Sequence, residues 1–391
     1  MNMTEREVRI LMVGIGGYGG FYLQALKSIQ AGCDHRIVAV VDPMAKGSEH
    51  WPALDAANTP QFDSMQEFAE SGMTADLAVI SSPIAFHADQ ACHALDAGMN
   101  VLCEKPLTAT MAEAQRMIDA AARAEKDSRF LEIGYQWSFS EAIQRLKKDV
   151  LAGDFGRPKT FKTWVSWPRK KSYYQRNSWA GCIHDKQGRP VYDSPANNAT
   201  AHFLHNMLFV LGPEMNQSAT PVQVEAECYR ANPIENFDAA CCRVKTEQGA
   251  DVLFYTAHCV EKMIGPVFKF EFENAVVDYP VNESIRATFN DGKAQEYGNP
   301  NAQPERKLIH CLERIAGGGE NSTICGAKAA VAQTACINEL QQTPISMFPA
   351  ERVKVNTDKD GDSLTYVAGL EKDMEKAFDL EMLLSEVSLP V

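Results

Sequence analysis

The stretch Val8-Arg9-Ile10-Leu11-Met12-Val13-Gly14-Ile15-Gly16-Gly17-Tyr18-Gly19 decides the fold, because an apolar run passes straight into a glycine-rich turn. Residues Val8–Val13 have the make-up of a buried strand, and a helical pattern, Phe21–Ser28, follows the turn. Gly14, Gly16 and Gly19 satisfy G-x-G-x-x-G, with Ile15, Gly17 and Tyr18 between them. Between a strand and a helix this spacing has a mechanism. The first glycine allows the tight turn, the second lets the backbone approach a pyrophosphate, and the third lets helix and strand pack closely. The helix N-terminus adds unpaired N–H groups and a positive dipole end, both suited to an anion.

The strand–helix rhythm continues outward from that turn. Ile37–Val41, Leu77–Ile80, Asn100–Cys103 and Phe130–Ile133 are further apolar runs. Helical patterns lie between them: His87–Ala97, stopped at Gly98, and Thr110–Ala124, opened by the capping box Thr110-x-x-Glu113. Near-continuous apolar strands suit a parallel sheet covered on both faces, so an α/β, doubly wound, dinucleotide-binding domain is expected over residues 1–134. Asp42 ends the second strand, 23 residues past Gly19. A carboxylate there receives the ribose hydroxyls of the adenosine and repels a 2′-phosphate, which favours NAD over NADP.

After Gly134 the pattern changes, and residues 135–391 form the second expected domain. A helix, Ser140–Leu151, precedes strand candidates Thr160–Trp167, Val222–Tyr229, Ala239–Thr246, Asp251–Ala257, Val267–Glu273 and Ala275–Tyr279. Turn residues such as Gln248-Gly249 and Asn290-Asp291-Gly292 separate several of them, which favours a large, mostly antiparallel open sheet. Helices are expected over Glu305–Ala316, Ala327–Leu340 and Leu370–Leu384, with Asp358-Lys359-Asp360-Gly361-Asp362 a solvated turn before the last. A broad open sheet needs cover, so a homodimer or homotetramer is expected.

Composition bounds the partners. The 391 residues carry a formal charge of −13, with 45% hydrophobic and 23% charged residues. Such a chain is globular, too long for one ordinary core, and repels phosphate backbones, which argues against nucleic acid. No apolar stretch reaches the roughly 18 residues of a membrane span. The start, Met1 to Glu7, lacks the basic head and apolar run of a secretion signal. Eleven cysteines without a Cys-x-x-Cys pair read as reduced thiols, so a cytoplasmic protein is expected.

Two more segments end strands: Ser81-Ser82-Pro83, leading to His87, and Glu104-Lys105-Pro106. In an open α/β sheet the strand C-termini hold ligands, which places Lys105 beside the cofactor. A lysine ammonium in a closed site stabilises the alkoxide character that hydride removal builds on a carbinol oxygen. Together GIGGYG, SSPxxxH and EKPL resemble the glucose–fructose oxidoreductase / inositol dehydrogenase / rhizopine-catabolism (Gfo/Idh/MocA) family over roughly residues 6–345. The resemblance implies a Rossmann domain joined to an α/β domain with a large antiparallel sheet. It implies NAD(P)-linked oxidation of a secondary hydroxyl of a sugar or cyclitol, or the reverse reduction. It makes Lys105 the ligand of the substrate oxygen, Lys105-Pro106 a cis bond, and Glu104 a neighbour of the nicotinamide ribose. Gly14, Ile15, Gly16, Gly17, Tyr18, Gly19, Asp42, Ser81, Ser82, Pro83, His87, Glu104 and Lys105 are the expected cofactor-binding set.

In that family a helix of the second domain supplies an Asp and a His four residues apart. Here His202 falls at the histidine and Asn198 where many members have Asp. Residues i and i+4 share a helix face, so the pair is expected to grip one ligand, with His202 taking the hydroxyl proton and Asn198 orienting the substrate. An Asp would favour an imidazolium, whereas Asn only hydrogen-bonds, so His202 is expected to be less basic. His205, at i+3, lines the site or packs. His202-x-x-His205 with Cys182, His184 and Asp193 matches no strong zinc spacing, so no metal is expected.

Residues Phe155 to His184 hold seven Lys or Arg and no Asp or Glu, interleaved with Trp164, Trp167, Tyr173, Tyr174 and Trp179. Aromatic faces suit the CH face of a sugar and arginine suits a carboxylate, which makes Trp167, Arg176 and Trp179 substrate candidates and an anionic sugar one substrate class. Packing of a solvated sheet face is the competing explanation. The functions left open are an NAD-dependent dehydrogenase acting on a sugar, glycoside, sugar acid or cyclitol, a redox-neutral sugar enzyme with transient oxidation, and a sugar-binding regulator.

Overall fold

The computed structural model describes residues 7–29, 33–317 and 322–387. The opening residues 1–6, read above for a signal, lie outside them. The chain divides into two compact units, Met1–Ser140 with Gln303–Ala330, and Glu141–Ala302 with Val331–Val391.

The first unit is built on strands β1 (Val8–Val13), β2 (His35–Val41), β3 (Gln61–Phe62), β4 (Leu77–Ile80), β5 (Asn100–Cys103) and β6 (Leu131–Ile133). They form one sheet in the order β3-β2-β1-β4-β5-β6, with every neighbour parallel. The order reverses between β1 and β4, which makes their C-terminal ends the crevice of a doubly wound sheet. Helices Tyr18–Ser28, His87–Asp96 and Met111–Ala124 connect the strands. Thr110 and Glu113 make the complete capping box. Gly98, at φ 79°, takes the left-handed stop after Asp96.

The boundary is less simple than a single cut near Gly134. Gln303–Ala330 returns to the first unit. The reason is the apolar face of the helix Arg306–Ala316: Leu308, Cys311 and Leu312 are buried in the same core as Ile10, Met12 and Leu23. A buried carboxylate adds to this. Glu132, on β6, is fully enclosed and accepts from the N–H groups of Ile324 (3.0 Å) and Cys325 (2.8 Å), from His310 Nε2 (3.3 Å) and from Arg314 (3.4 Å).

In the second unit, strands β7 (Pro158–Ser166), β8 (Pro221–Arg230), β9 (Ala239–Thr246), β10 (Asp251–Ala257), β11 (Ile264–Phe272), β12 (Ala275–Tyr279), β13 (Ile285–Phe289), β14 (Ala294–Gly298) and β15 (Ile345–Met347) form a nine-stranded sheet. Its order is β14-β13-β12-β11-β7-β10-β9-β8-β15, antiparallel except for the β7/β10 and β8/β15 pairs. Gly249 and Gly292, at φ 77° and 87°, close the β9–β10 and β13–β14 turns. Phe161 of β7 stacks on Phe270 of β11, with ring centroids 4.2 Å apart.

The oppositely directed side chains Trp164, Leu253 and Tyr255 pack against Leu370, Met374, Ala377, Leu383 and Leu384. The chain's own C-terminal segment therefore covers the middle of a face for which the sequence led us to expect cover from another copy. The helix expected over Leu370–Leu384 ends at Leu380, where Glu381 turns left-handed at φ 59°, and a short one follows at Leu384–Val387. The acidic turn before it joins a two-stranded hairpin, β16 (Val353–Thr357) and β17 (Ser363–Val367). Asp362 accepts from the Ser172 N–H (3.1 Å) and Ser172 Oγ (2.6 Å), and Asp358 pairs with Lys170. Among the described residues no helix is long and apolar enough to cross a membrane.

Glu132→Ala strips the His310 and Arg314 side chains and two backbone N–H groups of their common acceptor. It is expected to cost about 3 kcal/mol or more of stability, measured by urea unfolding, whereas an exposed control, Glu49→Ala, leaves the midpoint in place.

Candidate active-site residues

In the first unit the glycine turn has the form its spacing requires. Gly14 and Gly17 have φ of 84° and 52°. A Cβ on Gly16 would meet nothing within 4 Å, so the backbone is open to an approaching group, whereas one on Gly19 would run into the Gly14 carbonyl. Ser81 ties the two sheet halves together at this point. Its N–H donates to Val13 O (2.8 Å) and its Oγ to Gly14 O (2.8 Å). The Ile15 N–H donates to Asp42 Oδ2 (3.0 Å) and the Met44 N–H to Asp42 Oδ1 (2.8 Å), so the carboxylate is fixed beside the turn. An ionised carboxylate has about four acceptor sites, so two N–H bonds leave capacity for ribose hydroxyls. Open backbone, positive φ and a fixed acid together fit a dinucleotide.

The remaining first-unit residues divide into facing and bracing groups. Tyr18 opens the helix Tyr18–Ser28 and is partly exposed. Ser82 Oγ donates to Gln90 (2.5 Å), and Pro83 precedes the turn Ile84–Phe86. His87 is buried. Its Nδ1 lies 2.9 Å from Pro106 O and its Nε2 3.0 Å from Ser82 O. It therefore clasps the loop after β4 to the loop that carries Lys105, and its contacts are with the protein. Burial pushes its pKa down while the two carbonyls oppose that shift. Lys105 is half-buried at the end of β5, and its bond to Pro106 is cis.

Glu104 has a partner that sequence reading missed. Its carboxylate accepts from Tyr22 OH (2.5 Å) and pairs with Lys307, which also donates to Gly134 O (3.2 Å). Lys307 is fully enclosed, and burial pushes its pKa down while Glu104 opposes the shift. The Tyr22 and Lys307 bonds both fall on Glu104 Oε1, while Oε2 accepts the Lys105 N–H (3.3 Å), so the ribose contact expected of Glu104 competes with internal partners on each oxygen. No local pattern marks Lys307. The only signal was a lysine on the apolar flank of the Glu305–Ala316 helix pattern.

In the second unit the helix begins at Ala201, with Thr200 as its cap, so Asn198 stands in the turn before it and does not share a regular helix face with His202. The turn is irregular: the Thr200 N–H and Oγ1 both reach back five residues to Pro195 O, at 3.0 and 2.8 Å. His202 is half-buried in the first helical turn. Asn198 does have a carboxylate beside it: its Nδ2 donates to Asp193 Oδ1 at 2.7 Å. Asp193 is buried and accepts the Gly181 N–H on its other oxygen (2.6 Å), with Arg176 3.9 Å away.

His205 takes the packing role. It is buried with its ring on Phe209 (5.6 Å), and burial together with Lys147 pushes its pKa down to about 3. The aromatic–arginine cluster forms as a unit. Arg176 lies 3.6 Å over Tyr173 and 5.4 Å from Trp179, and Arg169 is 4.8 Å from Tyr173. Trp167 donates to Gly265 O (3.1 Å) and meets Phe203 edge-on. His258, which the sequence reading passed over, packs on Tyr173; burial and Arg169 bring its pKa down to about 3. Among the described residues no group of three or more His, Cys, Asp or Glu is placed to hold a metal ion. The eleven cysteines carry no disulfide.

Residues 8–130 match the family model described as "Oxidoreductase family, NAD-binding Rossmann fold" (GFO_IDH_MocA). An inositol 2-dehydrogenase of Salmonella typhimurium is 31% identical over 149 residues, 38% of this chain and 42% of that protein. The match thus spans about two fifths of the length of these curated relatives. Among solved structures, the WlbA dehydrogenase of Bordetella pertussis with NADH and UDP-GlcNAcA has a TM-score of 0.67 at 20% identity, covering 87% of this chain and 96% of that one. An oxidoreductase of Agrobacterium radiobacter with NAD+, L-tartaric acid and magnesium has 0.66 at 16%, covering 85% and 95%. At these identities the structural likeness concerns the fold.

His205 and His258 bind a proton far less readily folded than unfolded, where the pKa is about 6.5. Their contribution to stability is therefore complete above that value and is lost as the pH falls from about 6.5 towards about 3. Below pH 6 each histidine steepens the loss by up to about 1.4 kcal/mol per pH unit. Urea midpoints between pH 7.5 and 4.5 are expected to fall less steeply for His205→Phe than for the unsubstituted protein.

Proposed function

We propose, from the premise that this chain belongs through its Rossmann unit to the Gfo/Idh/MocA oxidoreductase family, that it transfers a hydride between NAD and a secondary hydroxyl or ketone of a sugar, sugar acid or cyclitol. The observation that carries the reading is the strand-end arrangement of the first unit. An open glycine turn, Asp42 held by the Ile15 N–H, and a half-buried Lys105 all lie at C-terminal ends of parallel strands. NAD, when bound, supplies the hydride acceptor or donor. The chain's own residues do the rest.

Lys105 is the proposed ligand of the reacting oxygen, where its ammonium stabilises the charge that grows as the carbon–hydrogen bond breaks. His87 sets the loop that carries it. His202 is the proposed acceptor of the hydroxyl proton in oxidation and its donor in reduction. Asn198 hydrogen-bonds the substrate, and Trp167, Arg176 and Trp179 read it. The inositol 2-dehydrogenase relatives and the acidic sugar in the Bordetella protein's complex support a polyol or acidic sugar as the substrate class. Arg176 and Arg169 stacked about Tyr173 favour the acidic member.

Lys105→Met should lower kcat at least about a thousandfold while the Kd for NAD changes less than about threefold. An NADH-fluorescence screen of myo-inositol, sugars and sugar acids in both directions measures it, and surviving turnover removes Lys105 from the chemistry. The same screen separates a dehydrogenase, which releases NADH stoichiometrically, from a redox-neutral enzyme, which does not. Asp42→Ala is expected to narrow the preference for NAD over NADP by about tenfold or more, read as the ratio of kcat/KM values, because the repelled 2′-phosphate no longer meets a carboxylate.

A further inference from the structure

A side-chain amide has two unlike ends, and what it presents to a ligand depends on which end is held. Asn198 offers an NH2 donor and a C=O acceptor on one planar group. Its NH2 donates to Asp193 Oδ1 at 2.7 Å. The direction of that bond is fixed, since an ionised carboxylate only accepts. The planar amide therefore turns its carbonyl oxygen away from Asp193. Asp193 is fixed in turn: it is 2% exposed, its other oxygen accepts the Gly181 N–H at 2.6 Å, and Arg176 stands 3.9 Å away. Asn236 Nδ2 donates to the Asp193 backbone carbonyl at 3.1 Å and steadies the same residue from behind.

We propose that Asp193 is a positioning residue for the reaction: it holds the Asn198 amide so that an oxygen acceptor, and never the NH2 donor, faces the substrate hydroxyl. The inference rests on the role proposed above for Asn198 and deepens it. A carboxylate at position 198 would present an acceptor whichever way it turned. An unheld asparagine would present acceptor or donor with similar ease. Asp193 removes the second choice. It also keeps a negative charge next to position 198, supplied from five residues upstream.

The bond pattern makes a reciprocal exchange the decisive test. In Asp193→Asn, the oxygen of the new amide stays on the Gly181 N–H and its NH2 meets the NH2 of Asn198. Asn198 relieves that contact only by flipping, which turns a donor to the substrate. In Asn198→Asp, two carboxylates face each other at the distance of the present hydrogen bond. In the double variant D193N/N198D both bonds return, the one between the two side chains with its polarity reversed. The new amide at position 193 accepts from the Gly181 N–H and donates to the new carboxylate at position 198, and an acceptor again faces the substrate.

The four proteins are compared for kcat/KM with NAD and the fastest substrate of a panel comprising myo-inositol, D-glucose, D-glucuronate and L-tartrate. The Kd for NAD and the Tm are measured alongside. Each single variant is expected to lose at least about tenfold in kcat/KM, and the double variant to return to within about threefold of the unsubstituted protein, with NAD affinity unchanged throughout. A purely structural role would move Tm and leave the activity of the correctly folded fraction intact. If Asp193→Asn fails to fold, the comparison of Asn198→Asp with the double variant decides alone: adding the second substitution must raise kcat/KM. Losses that add in the double variant overturn the inference and leave the proposed function standing. An unsubstituted protein inactive on the whole panel overturns the proposed function, and the inference with it.

Discussion

A carboxylate taken out of water at the end of a buried strand needs donors and cations around it, and in the first unit those come from far along the chain. Glu104 ends β5 and Glu132 lies in β6. The partners of Glu104 are Tyr22 and Lys307, and those of Glu132 are His310, Arg314 and the backbone of residues 324 and 325. A lone ion at either place would be costly; a paired and hydrogen-bonded one is tolerable and directional. The demand draws Gln303–Ala330 back onto the sheet and seals the strand beside Lys105. Apolar burial of Leu308, Cys311 and Leu312 supplies the driving force, while the two acids fix the register of the returning helix.

The second unit solves a related problem with an aspartate and its neighbours. Asp193 is buried and satisfied by a backbone N–H, an amide and a nearby guanidinium. Around it the loop that bears Tyr173, Arg176 and Trp179 stacks cation on ring. The acidic turn of the C-terminal hairpin holds that loop through Lys170 and Ser172. The chain's acid-free stretch is thus clamped by acids from elsewhere, and the charge of −13 is an average over strongly local arrangements.

Much of the fold was legible because its signals are local. The apolar run at Val8–Val13 followed by the glycine turn, the Thr110 capping box and the stop at Gly98 each depend on residues within one or two turns, and all occur as read. Short strands such as β3 and β15 were not legible, because two or three residues carry no periodicity. The helix expected over Leu370–Leu384 breaks at Glu381, a left-handed residue with no glycine to announce it. Asn198 and His202 have helical spacing, but residues 195–200 form an irregular turn and the helix begins only at Ala201.

By itself the sequence determined the alternation of strand and helix, the glycine turn with Asp42 at the next strand end, and the position of Lys105 at the end of β5. These follow from composition and spacing over short range. Only the tertiary structure decided which charges meet. It paired Glu104 with Lys307, 203 residues away, turned His205 into a packed neutral ring, made His87 a clasp, and set Asp193 on the amide of Asn198. The physical reason is burial. It makes an unpaired polar group costly, so Glu104, His87 and Asp193 hold the partners that the packed chain brings within reach, and it disfavours the charged form of the His205 ring.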